Sequence, residues 1–373
     1  MGRVAIVGGY GAFGAHAAAR LAGDGGLEIV VAGRSLAKAR DGAEKLLARG
    51  ARAHIEAAQL DATTASAQQL RALAPNVLIN ASGPFQGQDY SLARACIECG
   101  CHYVDLADAR RYVCDVTRLN AQAQAANVCV VSGASSVPGL SSAVVLQLTK
   151  GLETMDEVHI GISPGNSFDP GIATTASILG AAGKPFKVRV DGRWVTAHGW
   201  QRLNRYCFPE IGARWMADVD VPDLELLPAN YPQLRTARFA AGLDVGAFHL
   251  GVWALSWLAR SGVLADPGRL APLLLAAKRR LSMLGSNTGG MFVHVSGRDR
   301  QGVRRERAWH LIARSGDGPY VPAIASVILA RRLLAGNGPP AGAMTCFGLF
   351  KLAEFEAEVA DLDITCSIER EAN

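Results

Sequence analysis

No stretch of this sequence is long and apolar enough to cross a bilayer. The strongest candidate, Val245 to Ala259, is fifteen uncharged residues and includes His249, short of the ~30 Å of hydrocarbon that a spanning helix covers. It predicts a buried or interface helix and no integral membrane segment. Basic residues form no stripe: the net charge of +5 is scattered, so a nucleic-acid footprint is missing. The first strand begins at Arg3, which leaves no room for a leader and sets a cytoplasmic expectation. Eight cysteines in such a chain read as reduced thiols rather than a disulfide framework. Cys96, Cys99 and Cys101 crowd together without a second pair at zinc-ribbon spacing, so they read as packing and no metal site is expected. There is no G-x-S-x-G, HExxH or P-loop, which removes the usual signatures of hydrolysis and phosphoryl transfer. Internal repeats and low-complexity tracts are also missing.

What is present points to two globular domains. The chain has 373 residues, 49% of them hydrophobic and 19% charged, too long for a single core of usual size. It opens on a short apolar strand, Val4 to Val7, that runs into Gly8-Gly9-Tyr10-Gly11-Ala12-Phe13-Gly14 and then a helix to about Ala22. Glycines 9, 11 and 14 fit G-x-G-x-x-G. One glycine makes the turn, one lets backbone amides approach a pyrophosphate, and one lets helix and strand pack closely. The anion then sits at the positive end of the helix.

Further strands are expected at 27–33, 51–58, 77–80, 102–106 and 128–131, alternating with helices at 36–49, up to 73, 89–99, 110–126 and 138–149. Six strands alternating with helices make an α/β, Rossmann-type doubly wound parallel sheet. From about Glu157 the rhythm changes. Hairpins around Asp191-Gly192 and through 298–302, with helices near 246–260 and 269–284, predict a second α+β domain for substrate and dimerisation. The expected boundaries are 1–137 for the first domain, 138–317 for the second, and a return of 318–373 to the first.

The carboxyl ends of the parallel strands supply the candidate site residues. Ala81-Ser82-Gly83-Pro84-Phe85, after the fourth strand, is the expected nicotinamide loop. Asp61 follows the third strand, where it either lies near an adenine or serves a turn or helix cap. The second strand ends Ala32-Gly33-Arg34-Ser35, with no acid at that corner and Lys38 one turn on. An NAD site places an acid there to bind the ribose hydroxyls, whereas Arg34, Ser35 and Lys38 suit a 2′-phosphate. NADP is therefore expected over NAD. Tyr103, Asp105 and Asp108 are the candidate catalytic groups, since hydride chemistry needs a proton donor near the acceptor atom. Alternation puts Tyr103 and Asp105 on one face and His102 on the other. Asp105 could also simply bind backbone N–H groups.

The order of the motifs Gly8 to Gly14, Ala32 to Ser35, Val77 to Phe85 and Ala95 to Leu106 resembles the saccharopine dehydrogenase-like family of NAD(P)-dependent oxidoreductases. The resemblance is dense over 1–150 and thin beyond. It implies hydride transfer to or from a small metabolite, at the C–N bond of an amino-acid or polyamine-like imine, or in a lipid branch at an enoyl group. Several relatives carry a glutamate that falls on Ala109 here, which keeps open a non-catalytic NADP-binding sensor or assembly protein. Gly171 to Ser177 resembles a family loop opening a helix beside the cofactor, or is a Thr/Ser-rich helix start. A homodimer through 245–260 is expected, because that segment is apolar on more than one face.

Overall fold

A computed structural model describes residues 2–281 and 283–370. They divide into two compact units, residues 2–140 with 319–350, and 141–318 with 351–370. Among the described residues no helix is long and apolar enough to cross a membrane.

The first unit is a seven-stranded parallel sheet of β1 (Gly2–Val7), β2 (Leu27–Gly33), β3 (His54–Gln59), β4 (Val77–Asn80), β5 (His102–Asp105), β6 (Cys129–Ser132) and β15 (Gly342–Thr345). Their spatial order is β15-β6-β5-β4-β1-β2-β3. The chain starts in the middle, winds outward through β2 and β3, then crosses to β4 on the other side of β1. Loops at the carboxyl ends of β1 and β4 therefore diverge from a topological switch point, where open α/β sheets hold ligands. Val4 to Val7 and all of β4 are buried, as strands covered on both faces must be. One face packs Val7, Val30, Leu78, Tyr103 and Val130 against Leu92, Cys96 and Leu119. On the sheet, α1 (Gly14–Ala22) packs with α12 (Val321–Leu334), which also lies on β4 and β5. Ten residues of α12 are buried, explaining why it is apolar all round.

The sequence expectation is corrected at several points. The helix over 110–126 is broken into α5 (Arg110–Cys114), a 3₁₀ stretch Asp115–Leu119 and α6 (Asn120–Ala125). Pro138 lies in an irregular turn, Ser136–Leu140, ahead of α7 (Ser141–Leu148). The strand β15 is unanticipated and extends the sheet beside β6. Only 319–350 return to this unit. Residues 351–370 belong to the second, because β16 (Ile364–Arg370) pairs antiparallel with β14 (Arg304–Ala313).

The second unit is built on a nine-stranded mixed sheet. Its main path runs β10 (Asn204–Phe208), β11 (Gly212–Asp218), β12 (Thr236–Gly242), β7 (Leu152–Ser163), β13 (Gly289–Asp299), β14 and β16. The hairpin of β8 (Pro185–Val190) and β9 (Arg193–His198) turns at Asp191-Gly192 as the sequence predicts, and β8 joins the edge of β12. Helices α8 (Gly171–Gly180), α10 (Gly246–Arg260) and α11 (Ala271–Arg280) share a core built on Leu179, Trp200, Val252 and Ala271. In α10 only His249, Val252 and Ser256 are buried. Leu250, Trp257 and Leu258 remain exposed.

Candidate cofactor and active site

The turn after β1 is shaped by glycines that have no room for a side chain. Gly8 adopts φ +80°, and a Cβ there would lie 2.8 Å from the Ala81 carbonyl oxygen. A Cβ on Gly14 would fall 2.2 Å from the Gly8 carbonyl oxygen, and one on Gly11 3.0 Å from the same atom. The Gly11 amide donates to that oxygen at 2.8 Å. The strand end, the turn and the first turn of α1 are thus pressed together, and the loop after β4 lies against Gly8. No side chain among the described residues caps α1 at Phe13, and its first turn has no acid. Ala12 and Phe13 are half-buried beside it. This is the cradle a pyrophosphate needs, a backbone anion site that a methyl group would fill.

The end of β2 forms the neighbouring corner. Here Tyr10 acts in a way the sequence did not reveal. Its ring covers Gly33, whose Cβ would lie 2.6 Å from it, and the Ser35 amide donates to its hydroxyl at 3.1 Å. The Ser35 hydroxyl N-caps α2 (Leu36–Ala48) by accepting from the Lys38 amide at 3.4 Å. Arg34 and Lys38 are exposed. Asp61 is a turn residue: its Oδ1 accepts from the Thr63 amide at 3.0 Å and hydroxyl at 2.9 Å. Those bonds, with Arg34 nearby, hold its carboxyl below the usual range.

The loop after β4 is organised by Asn80, buried at the strand end. Its Oδ1 accepts from the Ser82 amide at 3.1 Å and from the Ser82 hydroxyl, while Nδ2 donates to the Tyr103 hydroxyl at 3.0 Å. The Tyr103 and Tyr112 hydroxyls are 3.1 Å apart. Gln88 Nε2 ties the loop from outside by donating to the carbonyls of Ser82 and Pro84. Phe85 is buried, its ring 5.2 Å from that of Tyr112. Gly83 and Pro84 are exposed, Ala81 and Ser82 half-buried. The visible hint in the sequence was a polar residue ending an otherwise apolar strand.

Two of the three candidate catalytic residues lie out of reach. Tyr103 and Asp105 are both 0% exposed. Asp105 Oδ1 accepts from the Gly133 amide at 2.8 Å, the Ser132 hydroxyl at 2.9 Å and the Ala107 amide at 3.0 Å. Its carboxylate latches the loops after β5 and β6 together, as the backbone alternative anticipated. Its Oδ2 has no hydrogen-bond partner among the described residues. Burial pushes its pKa up to about 6 against the pull of those donors and the nearby Tyr103 hydroxyl. Tyr103, equally enclosed, is pushed far up by desolvation. Asp108 differs. It is exposed at the carboxyl edge; desolvation by the surrounding protein raises its carboxyl above the ordinary value, against the pull of its own backbone amide. Ala109, where the family resemblance implies a glutamate, is buried at the start of α5. The cysteine cluster serves packing, with Cys99 donating to the Cys96 carbonyl and Cys101 to the His102 carbonyl.

Residues 4–131 match the family described as saccharopine dehydrogenase NADP binding domain. No curated protein matches the sequence. Among solved structures, the saccharopine dehydrogenase (L-Glu forming) of Saccharomyces cerevisiae is 15% identical, with all of both chains covered and a TM-score of 0.71. That identity shows a shared fold. The amine dehydrogenase of Mycobacterium smegmatis is 12% identical over 94% of this chain and 96% of its own, with a TM-score of 0.49. Residues 4–131 thus carry a saccharopine dehydrogenase-type NADP-binding domain, and the chain shares the fold of a saccharopine dehydrogenase.

Proposed function

We propose that this protein is an NADP-dependent dehydrogenase or reductase acting on the C–N bond of a small amino-acid- or polyamine-like imine. The observation that carries the reading is the glycine cradle at Gly8, Gly11 and Gly14 beside a β2 corner that offers Arg34 and Lys38 and no acid. Gly9, Gly11, Ala12 and Phe13 with the start of α1 would hold the pyrophosphate. Arg34, Ser35 and Lys38 would hold the 2′-phosphate, and the 81–85 loop would hold the nicotinamide. When bound, the nicotinamide supplies or accepts the hydride.

The chain's own residues supply orientation and the proton. Asn80, braced by Tyr103 and Tyr112, fixes the Ser82 end of the loop, and Gln88 fixes the Pro84 end. Asp108, exposed at the carboxyl edge, stands where a carboxylic acid can give a proton to a substrate nitrogen or oxygen. Tyr103 and Asp105 act through the groups they position. The exposed face of α10 around Leu250 and Leu258 supports a homodimer built on the second unit.

Titration with NADPH and NADH tests the cofactor half of the reading. Wild type should prefer NADPH, and Arg34→Asp should weaken NADPH far more than NADH; equal losses, or preference for NADH, refute it. A panel of imino, keto and enoyl acids tests the reaction, with NADPH oxidation expected on an imine.

A further inference from the structure

The second unit contains a cavity of about 320 Å³ that the cofactor reading does not use. It opens where the edge of β12 passes from one partner to another: β11 pairs at residues 240–242 and β8 at residue 237. Three arginines line this fork, Arg202, Arg238 and Arg260, around one acid, Asp218. The Asp218 carboxylate is 7% exposed and sits 3.4 Å from Arg238 and 3.8 Å from Arg202. Both separations are long for charge-assisted bonds. Arg260 donates to Gln201 Oε1 at 2.8 Å and lies 5.2 Å from the centre of the Trp257 ring. Each guanidinium carries five donors, so most of them have no acceptor in the protein among the described residues. With Asp218 ionised the cavity carries a net charge of +2. Burial and the nearby Arg260 lower the pKa of His198, which also lines the cavity.

The backbone is bent to build this arrangement. Trp200 and Arg202 adopt φ values of +61° and +56°, a left-handed region that strains non-glycine residues. Between them, Gln201 is 5% exposed and turned toward Arg260. The bend is held by two backbone bonds, from the Trp200 amide to the Asp218 carbonyl and from the Asp218 amide to the Gln201 carbonyl. Strain kept at the rim of a polar cavity is a mark of a working site. Val188, Val195 and the Trp257 ring give the same cavity an apolar wall.

We propose that this fork is a binding site for a small organic carboxylate, its anionic group taken by Arg202, Arg238 and Arg260 and its hydrocarbon body laid on Val188, Val195 and Trp257. Planar guanidiniums grip a carboxylate through paired N–H donors, and the apolar wall favours an organic acid over a bare inorganic anion. The site stands on the second unit alone and does not rest on the cofactor assignment.

Calorimetric titration of the full chain, without nucleotide and at low ionic strength, tests it with three probes: glutarate, its uncharged diamide glutaramide, and inorganic phosphate. Glutarate should bind saturably and glutaramide should not. Arg202→Gln and Arg260→Gln, both exposed positions, should each weaken glutarate about tenfold or more, the loss of one charge-assisted interaction, with an unchanged far-UV spectrum showing that the variants fold. No binding of glutarate to wild type, or binding by both variants as tight as wild type, overturns the proposal. Binding of phosphate without glutarate overturns the carboxylate assignment.

Discussion

Asp105 offers the sharpest separation between a group that does chemistry and one that holds the site in shape. Its ordinary pKa of 3.8 is raised to about 6 by burial. Because the folded value lies above the unfolded one, the folded protein holds the proton more tightly between those pH values. This contribution to stability is complete below about pH 4 and lost as pH rises to about 6. The shift of roughly two units corresponds to about 3 kcal/mol. Asp105→Asn keeps an acceptor for the amides of Ala107 and Gly133 and the hydroxyl of Ser132, and should erase that pH-dependent loss. Asp105→Ala strands all three donors, at about 1–3 kcal/mol each, so it should be at least about 3 kcal/mol less stable than Asp105→Asn. Urea unfolding followed by far-UV circular dichroism across pH 4–8 reads both effects. Tryptophan fluorescence would not, since all six tryptophans lie between residues 194 and 309, in the second unit. Turnover of Asp105→Asn should stay within about tenfold of wild type, whereas removing a general acid costs 10²–10⁴-fold. Equal stability of the two variants, or a catalytic loss on that larger scale in Asp105→Asn, would refute the latch.

Three other outcomes follow from the same geometry. Gly14→Ala places a methyl 2.2 Å from the Gly8 carbonyl oxygen, about 1 Å inside an ordinary C···O contact; the cradle must open, and NADPH affinity measured by fluorescence titration should fall at least about tenfold. Asp108→Asn should flatten the acid-dependent limb of the kcat/KM pH profile and lower turnover by about 10²-fold, while leaving NADPH affinity unchanged. His249 is fully buried with neither ring nitrogen partnered among the described residues, and desolvation lowers its pKa to about 4. Its folded value lies below the unfolded ~6.5, so the second unit should lose about 3 kcal/mol as pH falls from 6.5 to 4; His249→Leu should remove most of that loss in tryptophan-monitored unfolding.

Local signals were legible where they were self-sufficient. The glycine turn, the apolar parallel strands and the Asp191-Gly192 hairpin are each encoded within a few residues, and each appears where the sequence put it. The elements that escaped depend on distant partners. Thr236 to Gly242 is rich in alanine and becomes a strand through its ladders with β7 and β11. Residues 342–345 are too short to signal a strand and become one beside β6. The site shows the same limit. Alternation correctly placed Tyr103 and Asp105 together, but Ser132 and Gly133, twenty-seven and twenty-eight residues further on, decide that Asp105 is enclosed. The packing role of Tyr10 was not legible because only the fold brings Gly33 beneath its ring.

The central claim is that the first unit binds a nicotinamide dinucleotide in the Gly8–Gly14 cradle with its 2′-phosphate at Arg34. Equilibrium titration of wild type, Gly14→Ala and Arg34→Asp with NADPH and NADH tests it most directly. The account predicts saturable binding by wild type with NADPH preferred, loss of both nucleotides in Gly14→Ala, and selective loss of NADPH in Arg34→Asp. Wild-type protein that binds neither nucleotide, or Gly14→Ala protein that binds both as tightly as wild type, would contradict it.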